Sequence, residues 1–192
     1  MGVDPNRVVA AGGSAGGHLA ACTGVIEQFD ESNEDQNVSS KPNAMALFNP
    51  ALVLAPVDEA TFSSLGIEPV KKLVEFEEER LKDLQKRAGA KLVDISPFHN
   101  LPAQTGPCII FHGEADTTVP FASAELFTAA AKKAGNQCNL VGYPGKPHGF
   151  FNFGRDKNVP FRATLNALDQ FLVDLGYLTK ERSEAAEAIL NQ

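Results

Sequence analysis

The chain has 192 residues, of which 43% are hydrophobic and 21% charged. That balance suits one globular domain able to bury a core, and it excludes wholesale disorder, collagen-like fibres and disulfide scaffolds. Seventeen basic against 24 acidic residues leave a net charge of −7, so no basic field attracts phosphate backbones or anionic lipid, and nucleic acid is not an expected partner.

In chain order, Met1 to Asn6 reads as a turn and not as a basic-then-apolar leader. Arg7 to Ala11 is a short apolar strand that ends in Gly12-Gly13-Ser14-Ala15-Gly16-Gly17, after which His18 to Phe29 takes a helical pattern. The uncharged stretch 8–26 carries five glycines with Ser14, His18 and Thr23, so it reads as strand, turn and helix, and no membrane span is expected. Residues 30–43 hold one apolar side chain, Val38, and form a mobile loop. Ala44 to Phe48 is a second strand, stopped by Asn49-Pro50 because proline cannot continue a ladder, with an irregular extension over Ala51 to Val57.

Glu68 to Ala88 reads as one helix with Val70, Leu73, Val74, Leu81 and Leu84 inside and the pairs Glu78 with Lys82 and Asp83 with Arg87 outside. Cys108 to His112 is a third strand, Ala122 to Ala134 a helix stopped by Gly135, Gln137 to Tyr143 a fourth strand, and Val159 to Leu175 a helix with Leu165, Leu168, Phe171, Leu172 and Leu175 inside. Residues 179–192 read as a tail helix. The alternation implies an α/β fold, a parallel sheet of about four strands with flanking helices, within residues 1–178. Cys22, Cys108 and Cys138 cannot all pair within one chain and lie among small or apolar residues, which suits free thiols in a reducing, cytoplasmic setting.

Gly12-Gly13-Ser14-Ala15-Gly16 is G-x-S-x-G between a strand and a helix, the context that gives the motif its meaning. A serine at so tight a turn sits in strained backbone with its hydroxyl projecting, and the glycines two before and two after it leave room where side chains would collide. The Ala15 N–H, at the start of the helix, is placed to stabilise a developing oxyanion. Serine needs a base, and the base needs an orienting carboxylate. Asp116 follows the third strand in a loop at its carboxyl end, with Glu114 the second choice, and His148 follows the fourth strand in Pro144-Gly145-Lys146-Pro147-His148-Gly149. Ser14 is thus the expected nucleophile, Asp116 the acid and His148 the base, while His18, His99 and His112 read as structural. The chain holds no C-x-x-C, no H-E-x-x-H and no phosphate loop ending in Lys-Ser or Lys-Thr, so neither metal nor cofactor is expected.

With Gly13-Ser14-Ala15-Gly16-Gly17-His18-Leu19-Ala20 and Pro147-His148-Gly149-Phe150, the sequence resembles the α/β-hydrolase superfamily, in particular the hormone-sensitive-lipase-like and acetyl-xylan-esterase-like carboxylesterases. The resemblance implies a truncated α/β-hydrolase fold corresponding to the carboxyl-terminal half of such an enzyme, without its upstream oxyanion loop. It also implies a serine carboxylesterase acting on short-acyl, acetyl-type esters, with residues 57–92 as a lid-like helical insertion. Gly13 stands where many relatives carry Asp or Glu. The alternative is a weak or silent hydrolase fragment serving as an oligomerising module. In the family the strand matching Arg7 to Ala11 is paired on both sides, so its free edge is expected to make a homo-oligomer.

Overall fold

The computed structural model describes residues 2–181 apart from 34, 36 and 77. Its elements run β1 (Val9–Gly13), α1 (Ala15–Val25), β2 (Ala44–Phe48), α2 (Glu59–Ser64), α3 (Lys71–Val74), α4 (Glu78–Ala88), β3 (Cys108–Gly113), α5 (Phe121–Lys133), β4 (Cys138–Tyr143) and α6 (Val159–Asp174). The four strands form one sheet in the order β1-β2-β3-β4, every pair parallel. Gly13 lies beside Phe48, Phe48 beside Phe111 and Gly113 beside Tyr143, so all four carboxyl ends reach one rim.

The period of two along each strand divides the core between the two faces of the sheet. Met45, Leu47, Cys108 and Ile110 pack on one face with Ala21 and Val25 of α1 and with Ala124 and Phe127 of α5. Ala44, Ala46, Ile109 and Phe111 pack on the other with Phe150 and with Phe171 of α6, joined by Leu168, Leu172 and Leu175. Phe111 and Phe127 are essentially sealed from water, and truncating such a ring costs about 3–5 kcal/mol. A third cluster, Val53, Val57, Phe62 and Leu73 with Ala122 and Leu126 of α5, ties the segment between β2 and β3 to the domain.

The strands fall where the alternation places them, with β1 shifted two residues toward the serine. Helix α1 begins at Ala15 rather than His18 and ends at Val25 rather than Phe29. Residues 51–57 form no strand. The single helix expected over 68–88 is broken into α3 and α4, and α2 precedes it. The cause is a phase conflict. In one continuous helix Glu77 would fall on the stripe of Val70, Leu73, Val74, Leu81 and Leu84, whereas Phe76 would point roughly 100° away from it. The backbone is instead extended at Glu75, and Phe76 packs against the third cluster with Val70 and Val74. The outer pairs form as expected, Glu78 with Lys82 at 2.7 Å and Asp83 with Arg87 at 3.7 Å.

The described part of the 30–43 loop contains no helix or strand. Its ends are tied by the Lys41–Glu27 ion pair and by the Ser40 hydroxyl donating to Asp30. The tail helix expected over 179–192 lies outside the described residues beyond Glu181. At the sheet edge, Val8 is 43% exposed and Ala11 is also exposed, while Val9 and Ala10 are half-buried.

Candidate active site

Three loops at the rim bring Ser14, Asp116 and His148 together. Ser14 lies between β1 and α1 with φ 55° and ψ −118°, a backbone region that costs a non-glycine residue about 1–3 kcal/mol. Two groups hold it there: its N–H donates to the Phe48 carbonyl at 2.8 Å, and its own carbonyl accepts the His18 N–H at 3.0 Å. A Cβ on Gly12 would lie 2.3 Å from the Gly16 carbonyl oxygen, so the turn closes only over a glycine at that position.

The equivalent expectation for Gly16 is not met, because a Cβ there meets nothing. The second close approach falls one residue later, where a Cβ on Gly17 would sit 3.0 Å from the Gly12 carbonyl oxygen and from Pro50. A Cβ on Gly13 would stand 2.8 Å from the ring of Phe151, which packs against Phe48 with centroids 5.0 Å apart.

Asp116 is 7% exposed. Its Oδ1 accepts the backbone N–H groups of Thr118 and Val119, both at 2.9 Å, and its Oδ2 accepts His148 Nδ1–H at 2.6 Å. The carboxylate fixes the histidine tautomer, leaving Nε2 to accept the Ser14 hydroxyl at 2.9 Å. Burial works against the ionised carboxyl, but the bonds from His148, Val119 and Thr118 outweigh it and hold Asp116 below the ordinary aspartate range. The loop carrying His148 is pinned by Lys146, which pairs with Asp156 at 2.5 Å, and by Arg155, which donates to the His148 carbonyl at 3.3 Å. Ala15 opens α1, where a backbone N–H has no acceptor within the helix.

The remaining candidates have other work. Glu114 lies over Gly142, and burial, with a smaller contribution from the Glu114 charge, raises the Glu125 carboxyl. His18 Nε2 donates to the Ile95 carbonyl at 2.7 Å and lies 3.3 Å from Cys22 Sγ, and burial pushes that thiol up to about 11. His99 bridges Ser96 and the Pro56 carbonyl at 2.8 and 3.2 Å. His112 is fully buried, donates from Nε2 to the Val119 carbonyl at 3.0 Å and is held below its usual pKa by burial.

Sequence reasoning missed Asn49, whose side-chain amide donates to Asp116 Oδ2 at 2.6 Å. Asn49-Pro50 signalled only the end of β2. The usable signal was position: Asn49 ends a strand at the same rim as Ser14 and Asp116.

Between the acid loop and α3–α4 lies a cavity of about 230 Å³ lined by Val53, Leu73, Phe76, Leu84, Thr118 and Val119 among others. Lys72 of α3 donates to the Thr117 carbonyl at 3.2 Å. Among the described residues no cluster of three metal-ligating side chains occurs, and no helix is long and apolar enough to cross a membrane.

Residues 1–130 match the BD-FAE family and residues 93–187 the dienelactone hydrolase family. Among solved structures, native Est2, an esterase of Thermogutta terrifontis, is 44% identical with a TM-score of 0.78, over 93% of this chain and 59% of that one. The butyrate-bound form is 45% identical with a TM-score of 0.77, over 93% and 60%. Among curated proteins, the probable isoprenylcysteine alpha-carbonyl methylesterase ICMEL1 of Arabidopsis thaliana is 30% identical over 151 residues, 77% of this chain and 31% of that protein. The chain thus spans about a third of the curated relatives' length and about three fifths of the esterase structures. By its family match and its parallel sheet with flanking helices, the chain belongs to the BD-FAE family and has the α/β-hydrolase fold.

Proposed function

We propose that the protein is a serine carboxylesterase for short-acyl, acetyl-type esters, with Ser14 as nucleophile, His148 as general base and Asp116 as its orienting acid. The observation that carries this reading is the unbroken relay from Ser14 Oγ through His148 to Asp116, at 2.9 and 2.6 Å. Ser14 Oγ attacks the ester carbonyl carbon while His148 Nε2 takes its proton. The carbonyl π electrons move onto oxygen, where the Ala15 N–H donates to the resulting oxyanion. Collapse breaks the bond to the alkoxy oxygen, which leaves as the alcohol with the proton from His148. Water, deprotonated by the same imidazole, then attacks the acyl-enzyme and releases the acid and free Ser14. Asp116 remains ionised throughout and stabilises the imidazolium.

The short-acyl preference is supported by the similar Thermogutta terrifontis esterase, solved with propionate and with butyrate. Segment 57–92 acts in this reading as a lid over the acid-loop side of the site. The test is p-nitrophenyl acetate hydrolysis with a Ser14→Ala control, together with paraoxon labelling read by mass spectrometry. The expected result is turnover and a single phosphoryl adduct on Ser14, both lost in Ser14→Ala, with a rate falling at least 10³-fold. Faster cleavage of a long-chain ester than of the acetate would overturn the acyl preference. Ester cleavage surviving in Ser14→Ala would overturn the nucleophile.

Two further parts of the proposal concern the setting. Two copies join along the free edge of β1 about a two-fold axis, burying about 1,600 Å² or more. Light scattering that returns a monomer at micromolar concentration refutes this. Three unpaired thiols fit the reducing cytoplasm, and a fluorescent fusion found in another compartment would contradict that placement.

A further inference from the structure

The end of β2 touches both ends of the relay through two consecutive residues. The Phe48 carbonyl accepts the N–H of Ser14, and the Asn49 side-chain amide donates to Asp116 Oδ2, the oxygen that also accepts His148 Nδ1–H. Asn49 is 0% exposed, and its own N–H donates to the Phe111 carbonyl at 2.8 Å, which locks it to β3. Its φ of 44° lies in the left-handed region, which asparagine and glycine enter far more readily than other residues. The orientation of the amide follows from chemistry, since a carboxylate oxygen at 2.6 Å must face the NH₂ and not the carbonyl oxygen. The other side of that amide, Oδ1, is buried with no hydrogen-bond partner among the described residues. Such an orphan costs free energy, so packing alone does not account for an asparagine here.

We propose that Asn49 is a positioning residue of the relay: its amide braces Asp116 Oδ2 and keeps the carboxylate aimed at His148. The backbone amides of Thr118 and Val119 hold only Oδ1, so without Asn49 the one bond left on Oδ2 is that from His148 itself, and nothing independent of the imidazole sets where Oδ2 lies. Asn49 also takes a share of the negative charge on Oδ2 that would otherwise face the imidazole. The titratable and charged groups around Asp116 are His148 and His112, the latter with Nε2 at 3.4 Å. Lys72 stands one residue further along the loop, on the Thr117 carbonyl.

This inference rests on the esterase reading, and its test separates the two. Asn49→Gly removes the donor while tolerating the positive φ, and Asn49→Ala removes the donor while keeping the Cβ. The titration of His148 is followed by NMR on the whole chain, a measurement that requires no turnover, alongside p-nitrophenyl acetate kinetics. In Asn49→Gly the His148 midpoint is expected to rise by about one pH unit, because more carboxylate charge faces the imidazolium. The acid limb of kcat/KM moves up with it, and kcat falls roughly tenfold to a hundredfold with KM little changed. In Asn49→Ala the midpoint rises by a similar amount. Should the glycine variant fail to fold, the alanine variant carries the same reading. A His148 midpoint unmoved in the folded variants, with only a lower melting temperature, overturns the proposal. A chain that shows the midpoint shift but no ester turnover leaves the role of Asn49 standing and sinks the esterase reading.

Discussion

The rim of the sheet and the helical segment between β2 and β3 meet at the acid loop but are held in different ways. At the rim, position is set by backbone groups and buried side chains: the strained Ser14 tethered to Phe48, the Asp116 carboxylate saturated by four donors, and a turn that closes only over Gly12. The segment relies on one apolar cluster, on surface ion pairs such as Glu78–Lys82, and on the Lys72 hydrogen bond to Thr117. The proposed chemistry, which needs atoms held within tenths of an ångström, falls on the region whose constraints are short and buried. The segment facing the cavity has constraints that water and salt weaken.

That contrast is broken most severely at Gly12. Gly12→Ala drives a methyl onto the Gly16 carbonyl, and the expected result is loss of the native elbow, with several kcal/mol of stability lost and no measurable esterase activity. Gly16→Ala, whose methyl meets nothing, is expected to keep the fold and to stabilise α1 by about 0.5–1 kcal/mol. Urea unfolding of the two variants side by side checks this. Equal losses would mean that the motif's glycines act through the sequence pattern as a whole and not through this single contact.

A smaller effect comes from protons. Buried His112 and half-buried His99 are held below their ordinary 6.5, so the unfolded chain takes up protons first as the pH falls. Their stabilising contribution is complete above about pH 6.5 and declines as the pH drops from there toward the folded values. Each histidine adds a slope of at most about 1.4 kcal/mol per pH unit. Asp116, whose folded pKa is also depressed, adds a second loss only as the pH falls below its ordinary 3.8. Unfolding midpoints measured between pH 7.5 and 5.5 follow the first loss, and His112→Gln is expected to flatten it. An unchanged slope in that variant would show that His112 does not drive it.

The smallest effects belong to the helical segment. Lys72→Met is expected to change p-nitrophenyl acetate turnover by less than about threefold. Glu78→Gln, which removes an exposed i,i+4 pair, is expected to cost no more than about 0.5 kcal/mol. A tenfold loss in Lys72→Met would show that α3 fixes the acid loop and would narrow the distinction between the two regions.

The same division governs what could be read from sequence. The strands of the sheet and the three residues of the relay were legible because each sits in a strong local pattern: an apolar run, then a loop with one chemically informative side chain. Helix α3–α4 was misread because its apolar stripe continues across Glu77, and the break goes with the packing of Phe76 against the third cluster, alongside Val70 and Val74. Asn49 was invisible as a site residue because its partner lies 67 positions away, and a lone Asn-Pro carries no more than a turn signal. The open space at Gly16 likewise follows from the path of α1 and not from the spacing of the motif.

Gly13 and Phe151 also constrain how this elbow can vary. The methyl that any other residue would bring to position 13 occupies the place of the Phe151 ring, and that ring packs against Phe48, next in sequence to Asn49. A side chain introduced before Ser14 therefore requires the half-buried Phe151 ring to shift or to shrink, and a shift of that ring also changes its packing on Phe48. The two positions are coupled, so that what position 13 can hold depends on where residue 151 places its ring. A change at the elbow is thereby felt at the end of β2, next to Asn49.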